Sequence, residues 1–138
     1  TFTGTQNVSS ASTWVDLTSL TQAITPAATS SKILCFYNLT VGSQYDSGSR
    51  LVRGSTPIGI GTAEGSRILV SVDATVRDNV ECTQHAFLWL DSPATTSATT
   101  YKVQGLGGGF YLNRSRADAD AVSYYRSAST LTLMEILA

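Results

Sequence analysis

Charge is scarce in this chain of 138 residues: Asp, Glu, Lys and Arg together make up 14% of it, well below the ~25% of an ordinary soluble domain. The nine basic residues include only two lysines, Lys32 and Lys102. A formal net charge of −1 leaves no basis for gripping a phosphate backbone, because non-specific nucleic-acid affinity comes mainly from neutralising phosphates with Lys and Arg. Nucleic acid is therefore not an expected partner. A basic set weighted toward arginine favours fixed, hydrogen-bonded pairings that pin loops or a subunit interface.

Cysteine is also sparse. Cys35 and Cys82 each sit inside a strand-like run, without the clustered spacing of a disulfide-dependent scaffold, and are expected as two buried free thiols. With the single histidine, His85, they fall short of the four ligands of a structural zinc site, so neither a metal nor another cofactor is expected. No stretch approaches the ~20 consecutive apolar residues of a membrane-spanning helix, and no basic-then-apolar leader opens the chain. A soluble domain without membrane insertion is the expectation, and a first residue other than Met points to a piece of a longer protein. Catalytic signatures are missing as well: there is no Gly-x-Ser-x-Gly, no His-Glu-x-x-His and no P-loop. A Cys35, His85 and Asp73 triad can be written down, yet nothing in the spacing brings the three together. No catalytic residue is assigned, and the chain is read as a non-enzyme.

What the chain has instead is hydrophobic residues, 42% of the total, and many Ser and Thr, whose short side chains hydrate well and suit strands. Residues 32–41 form an apolar run with β-branched and aromatic members, the pattern of a central strand buried on both faces. Residues 67–72 and 81–90 read as strands by the same criteria. Further strands are expected around 14–17, 21–25, 51–60, 99–105, 110–113 and 130–137. Such close spacing of turn signals favours a sandwich or barrel over βαβ units. The stretch 117–125 is compatible with a helix or a long ordered loop. Residues 1–12 read as a linker or a first edge strand joining a preceding stalk, and 13–138 as one β-sandwich domain. The run Gly105-Leu106-Gly107-Gly108-Gly109 supplies backbone freedom between two strands.

Three polar segments combine an aromatic ring with directional hydrogen-bonding groups, the pairing that sugar recognition uses. They contain Tyr111, Asn113 and Arg114; Tyr124, Tyr125 and Arg126; and Tyr45 with Asp46. Trp14 and Trp89, embedded in strand-like runs, are expected in the core or an interface. Asp118 and Asp120 lack the spacing of a calcium loop and are expected to face Arg114, Arg116 or Arg126.

The strand–turn–strand run Leu90-Asp91-Ser92-Pro93-Ala94-Thr95-Thr96-Ser97-Ala98-Thr99-Thr100-Tyr101-Lys102-Val103-Gln104, the upstream Arg50-Leu51-Val52-Arg53-Gly54-Ser55-Thr56-Pro57-Ile58-Gly59, and the closing Thr130-Leu131-Thr132-Leu133-Met134-Glu135-Ile136 carry a resemblance. Together they resemble the C-terminal modules of phage and marine-virus tail-fibre or head-fibre proteins, from about Ser30 onward. The resemblance implies an all-β, antiparallel β-sandwich of jelly-roll type, a homotrimer joined to the remainder of a virion fibre. It also implies attachment to a host cell-surface glycan or other receptor. The competing classes are a trimerisation or capping module with no ligand, and a polysaccharide hydrolase, which the absence of repeated β-coils disfavours.

Overall fold

The computed structural model describes residues 1–137. Ten strands and no helix are found among them: β1 (Gln6–Val8), β2 (Val15–Ile24), β3 (Lys32–Ser43), β4 (Ser47–Arg53), β5 (Thr56–Ile58), β6 (Val72–Asp73), β7 (Thr83–Asp91), β8 (Thr99–Gly107), β9 (Phe110–Leu112) and β10 (Thr130–Ile136). They build two antiparallel sheets. In the first, β3 is central, with β7 along one edge and β10 then β9 along the other, and β1 closes the far side of β9. In the second, β4 is central between β8 and the short pair β5 and β6, and β2 flanks β8.

The sheets form a sandwich because alternate residues of each strand point to one shared interior. Ile33, Cys35, Tyr37, Leu39 and Phe110 from the first sheet meet Leu17, Leu20, Leu51, Tyr101 and Val103 from the second, all 1% exposed or less. Gly105 carries no Cβ where one would lie 3.2 Å from the Phe110 ring and 3.3 Å from Leu17. A glycine there lets the two sheets close on an aromatic ring.

Several expectations are corrected. Residues 14–17 and 21–25 are one strand, β2, whose pairing with β8 shifts register between Asp16 and Thr21. Of 67–72, only Val72 is in a strand, because β5 already occupies β4 at Leu51–Arg53 and leaves only Ser49 and Gly48 to pair with Val72 and Asp73. The preceding segment is tied by single bonds, such as Ser71 N–H to Ser49 O. The stretch 117–125 is loop. Cys35 is buried but Cys82 is exposed in the loop before β7; both thiols are free. β3 is central as expected, yet only one of its faces is in the core: Phe36 on the other is 38% exposed.

The first residues are fastened rather than loose. Gln6–Val8 pairs with β9, Phe2 exchanges both backbone hydrogen bonds with Ser129, and Asn113, buried at φ +61°, donates from Nδ2 to the carbonyls of Phe2 and Gly4 while accepting from Ser129 Oγ.

Candidate functional site

The two outer faces of the sandwich differ in chemistry. On the second sheet a polar lattice covers the strands: Arg50 Nε donates to Gln104 Oε1, Gln104 Nε2 and Lys102 Nζ donate to the two oxygens of Asp16, and the Arg50 guanidinium lies 4.1 Å from the centre of the Trp14 ring. Those two donors hold the Asp16 carboxyl below the usual carboxylate range. On the first sheet the register aligns Leu90, Leu34 and Met134 in one cross-strand row and Leu88, Phe36 and Thr132 in the next, with Ile136 beside Lys32. Leu88 is 59% and Met134 56% exposed. Lys32 is the one charged residue at the outward positions of β3, β7 and β10. β7, one of the two outer strands of this face, pairs only with β3 among the described strands, and its Trp89 is stacked on Phe87.

Inside, Tyr37, Ser49 and His85 form a chain of hydrogen bonds between the sheets. His85 Nε2 lies 2.9 Å from the Ala74 carbonyl, which only accepts, so Nε2 carries the proton and Nδ1 accepts from Ser49 Oγ at 3.0 Å. Ser49 in turn accepts from the Tyr37 hydroxyl at 3.0 Å. A serine touching a histidine nitrogen has the outline of a nucleophile and its base. Here all three side chains are fully buried, the far nitrogen is spent on a backbone carbonyl, and burial pushes the Tyr37 hydroxyl up to about 12. The chain is a strut: it holds Ala74 against β7, while Ser47 Oγ bonds the same carbonyl and Ser43 Oγ bonds Val76.

Burial lowers the His85 pKa, opposed in part by the Ala74 hydrogen bond and Asp73. The unfolded chain therefore takes up a proton near pH ~6.5 while the folded one stays neutral, so stability falls as pH drops through that value and keeps falling until the folded imidazole is protonated. The urea midpoint of the wild type should decrease between pH 7 and pH 5. His85→Gln should be less stable at pH 7 and lose most of that slope; an unchanged slope would refute the assignment.

The expected recognition residues separate into distinct places. A backbone pairing joins Arg114 to Arg126, and the Asp118 carboxylate lies between their guanidiniums, 3.6 Å from Arg114 and in contact with Arg126. Tyr124, Tyr125, Asp118 and Asp120 line one shallow concavity there, and Tyr125 is 76% exposed. Tyr111 is half-buried beneath the Arg114 guanidinium, at 4.5 Å. Asn113 does not belong to a recognition surface: it is completely buried and its amide clamps the N-terminal residues. Tyr45 and Asp46 stand apart, at the β3–β4 turn, where they border a concavity of about 510 Å³. Asp46 is paired with Arg77 at 2.7 Å. Among the described residues no group of His, Cys, Asp or Glu is arranged to hold a metal. Ile68, Val70 and Asp73 also line that concavity; sequence reasoning took the first two only as part of a strand over 67–72 and Asp73 only as a member of an unsupported triad, and nothing in the sequence joined them to Tyr45.

No known protein-family model matches the chain, and no curated protein matches it in sequence.

Proposed function

We infer that the chain is a non-enzymatic attachment module of a virion fibre, a jelly-roll sandwich that assembles as a homotrimer and presents its loops to a host-surface glycan. The observation that carries this reading is the apolar outer face of the first sheet. One sandwich has already buried its core, and yet Leu34, Phe36, Leu88, Leu90, Met134 and Ile136 remain on the opposite side of the same sheet. A single-chain surface rarely carries so contiguous an apolar row unless something covers it. A second and third copy, converging around a three-fold axis, cover it with identical chemistry and close the assembly. The polar lattice on the second sheet has no such need and faces water. Trimerisation also multiplies a weak single-site affinity when three loop sites meet one surface, and the exposed rings of Tyr45 and Tyr125 supply stacking platforms, with Tyr111, Tyr124, Arg114, Arg126 and Asp46 nearby in their respective loops. The sealed Ser49–His85 contact supports a structural role for the one pair that resembles catalytic machinery.

Light scattering on the isolated domain should give three times the monomer mass at micromolar concentration. Phe36→Glu should yield a folded monomer, since burying an unpaired carboxylate at each contact costs about 3 kcal/mol or more, roughly a hundredfold in association. A wild-type monomer removes the trimer. Adherence to host cells, and competition with virus adsorption, tests attachment; a trimer that does neither is a structural cap, and release of reducing sugars from host polysaccharide would make it a hydrolase.

A further inference from the structure

We propose that the concavity beside Tyr45 is the glycan subsite and that it takes an uncharged pyranose, with the sugar's C–H face on the Tyr45 ring and its hydroxyls donating to the carboxylate of Asp73. This deepens the attachment reading and rests on it. The site is assembled from segments distant in sequence: Tyr45 from the β3–β4 turn, Ile68 and Val70 from the stretch before β6, Asp73 from β6 itself, and Leu106 from β8. Its volume, about 510 Å³, falls within the ~300–1,000 Å³ of small-ligand sites.

Glycine shapes it. A Cβ on Gly48 would stand 2.7 Å from Val70 Cγ1, and one on Gly108 would stand 3.2 Å from the Tyr45 ring. A Cβ on Gly107, at φ +153°, would come within 3.0 Å of the Asp46 carbonyl. Bare backbone at Gly48 and Gly108 leaves room for Val70 and Tyr45, and at Gly107 for the Asp46–Ser47 backbone. Tyr45 nonetheless keeps 56% of its surface exposed and Ile68 52%, so the walls present apolar area to whatever enters.

The charge pattern selects among ligands. Asp46 and Asp73 both border the concavity, no Lys or Arg is among its lining residues, and Arg77 is engaged by Asp46. Asp73 makes no hydrogen bond or ion pair of its own side chain among the described residues. A free carboxylate accepts strong hydrogen bonds from hydroxyl donors, whereas a sialic or uronic acid would bring a like charge against it with no guanidinium to answer. An apolar ring, an apolar opposite wall and an open acceptor suit a molecule with one C–H face and a rim of hydroxyls.

The test is a glycan array probed with the intact domain and with Tyr45→Ala, Asp73→Asn and the double variant Tyr124→Ala with Tyr125→Ala. Both Tyr45 and Asp73 are exposed, and matching urea midpoints would show that the variants fold. Expected is binding to probes ending in neutral hexoses, at least tenfold loss for Tyr45→Ala and Asp73→Asn, a smaller loss for the double variant, and no signal from sialylated or uronate-terminated probes. Binding confined to acidic probes overturns the proposal. So does neutral-sugar binding that survives Tyr45→Ala and Asp73→Asn but fails in the double variant, which leaves glycan attachment standing at the Tyr124–Tyr125 loop. A domain that adheres to host cells but binds no sugar probe overturns the subsite alone; one that does neither overturns the attachment reading with it.

Discussion

Phe110→Ala is expected to cost about 3–5 kcal/mol, the range for emptying a buried aromatic site and a large part of the ~5–15 kcal/mol that holds a domain of this size folded. The ring is completely buried and meets the His85 imidazole edge to face, with centroids 5.8 Å apart. It also fills the space that Gly105 leaves open between the sheets, so its loss creates a void on both sides of the interior. The urea midpoint should fall with little change in slope. Gly105→Ala sharpens the result. In the wild type the added methyl crowds the ring and should destabilise by about 1–3 kcal/mol; in the Phe110→Ala background it enters the void and should restore part of the loss. Additive effects in that cycle would mean that the two positions do not share a cavity.

Asp91→Ala should cost about 3 kcal/mol. The carboxylate ends β7, is 6% exposed, and accepts the Tyr101 hydroxyl at 2.6 Å together with Arg53 Nη1 at 3.0 and 2.9 Å. It therefore joins the first sheet to β4 and β8 of the second. Removing one member of a buried ion pair typically costs about 3–5 kcal/mol; the lower end applies because the Arg53 side chain keeps 32% of its surface in water. The Tyr101 hydroxyl has no such recourse. Burial, and then the neighbouring Asp91, push its pKa up, so it stays a neutral donor left without an acceptor. Tyr101→Phe should cost only about 1 kcal/mol, because Asp91 retains Arg53. Equal losses for the two variants would place the energy in the hydroxyl rather than in the ion pair. Both series need one fixed protein concentration, since the proposed association would shift apparent stability.

The strands around Tyr37, Trp89, Val103 and Leu133 were legible in the sequence, because β-branched and aromatic residues between turn signals leave few alternatives. The facing of β3 was not. Ile33, Cys35 and Tyr37 alternate with Leu34 and Phe36, so both sides are apolar, and periodicity cannot separate a core face from an exposed apolar one. Ile68, Leu69 and Val70 read as a strand by composition, but a strand needs an open edge to pair with, and β5 had taken it. Asn113 looked like a surface residue because it lies in the polar run Asn113-Arg114-Ser115; its left-handed backbone turns the side chain inward, a matter of φ that residue type alone does not announce. Tyr45 was visible as an aromatic in a polar turn. The concavity beside it was not, since its walls meet only when segments far apart in the chain are folded together.

The clasp at the beginning of the chain also has a mechanical meaning. A tensile load arriving at Thr1 does not peel the chain off one residue at a time. It meets the paired Phe2 and Ser129 backbones and the two Asn113 bonds together, and these hand it to the stretch leading into β10 and to the residue just after β9. Both strands lean on β3, so tension would spread across the first sheet before β2 felt any of it.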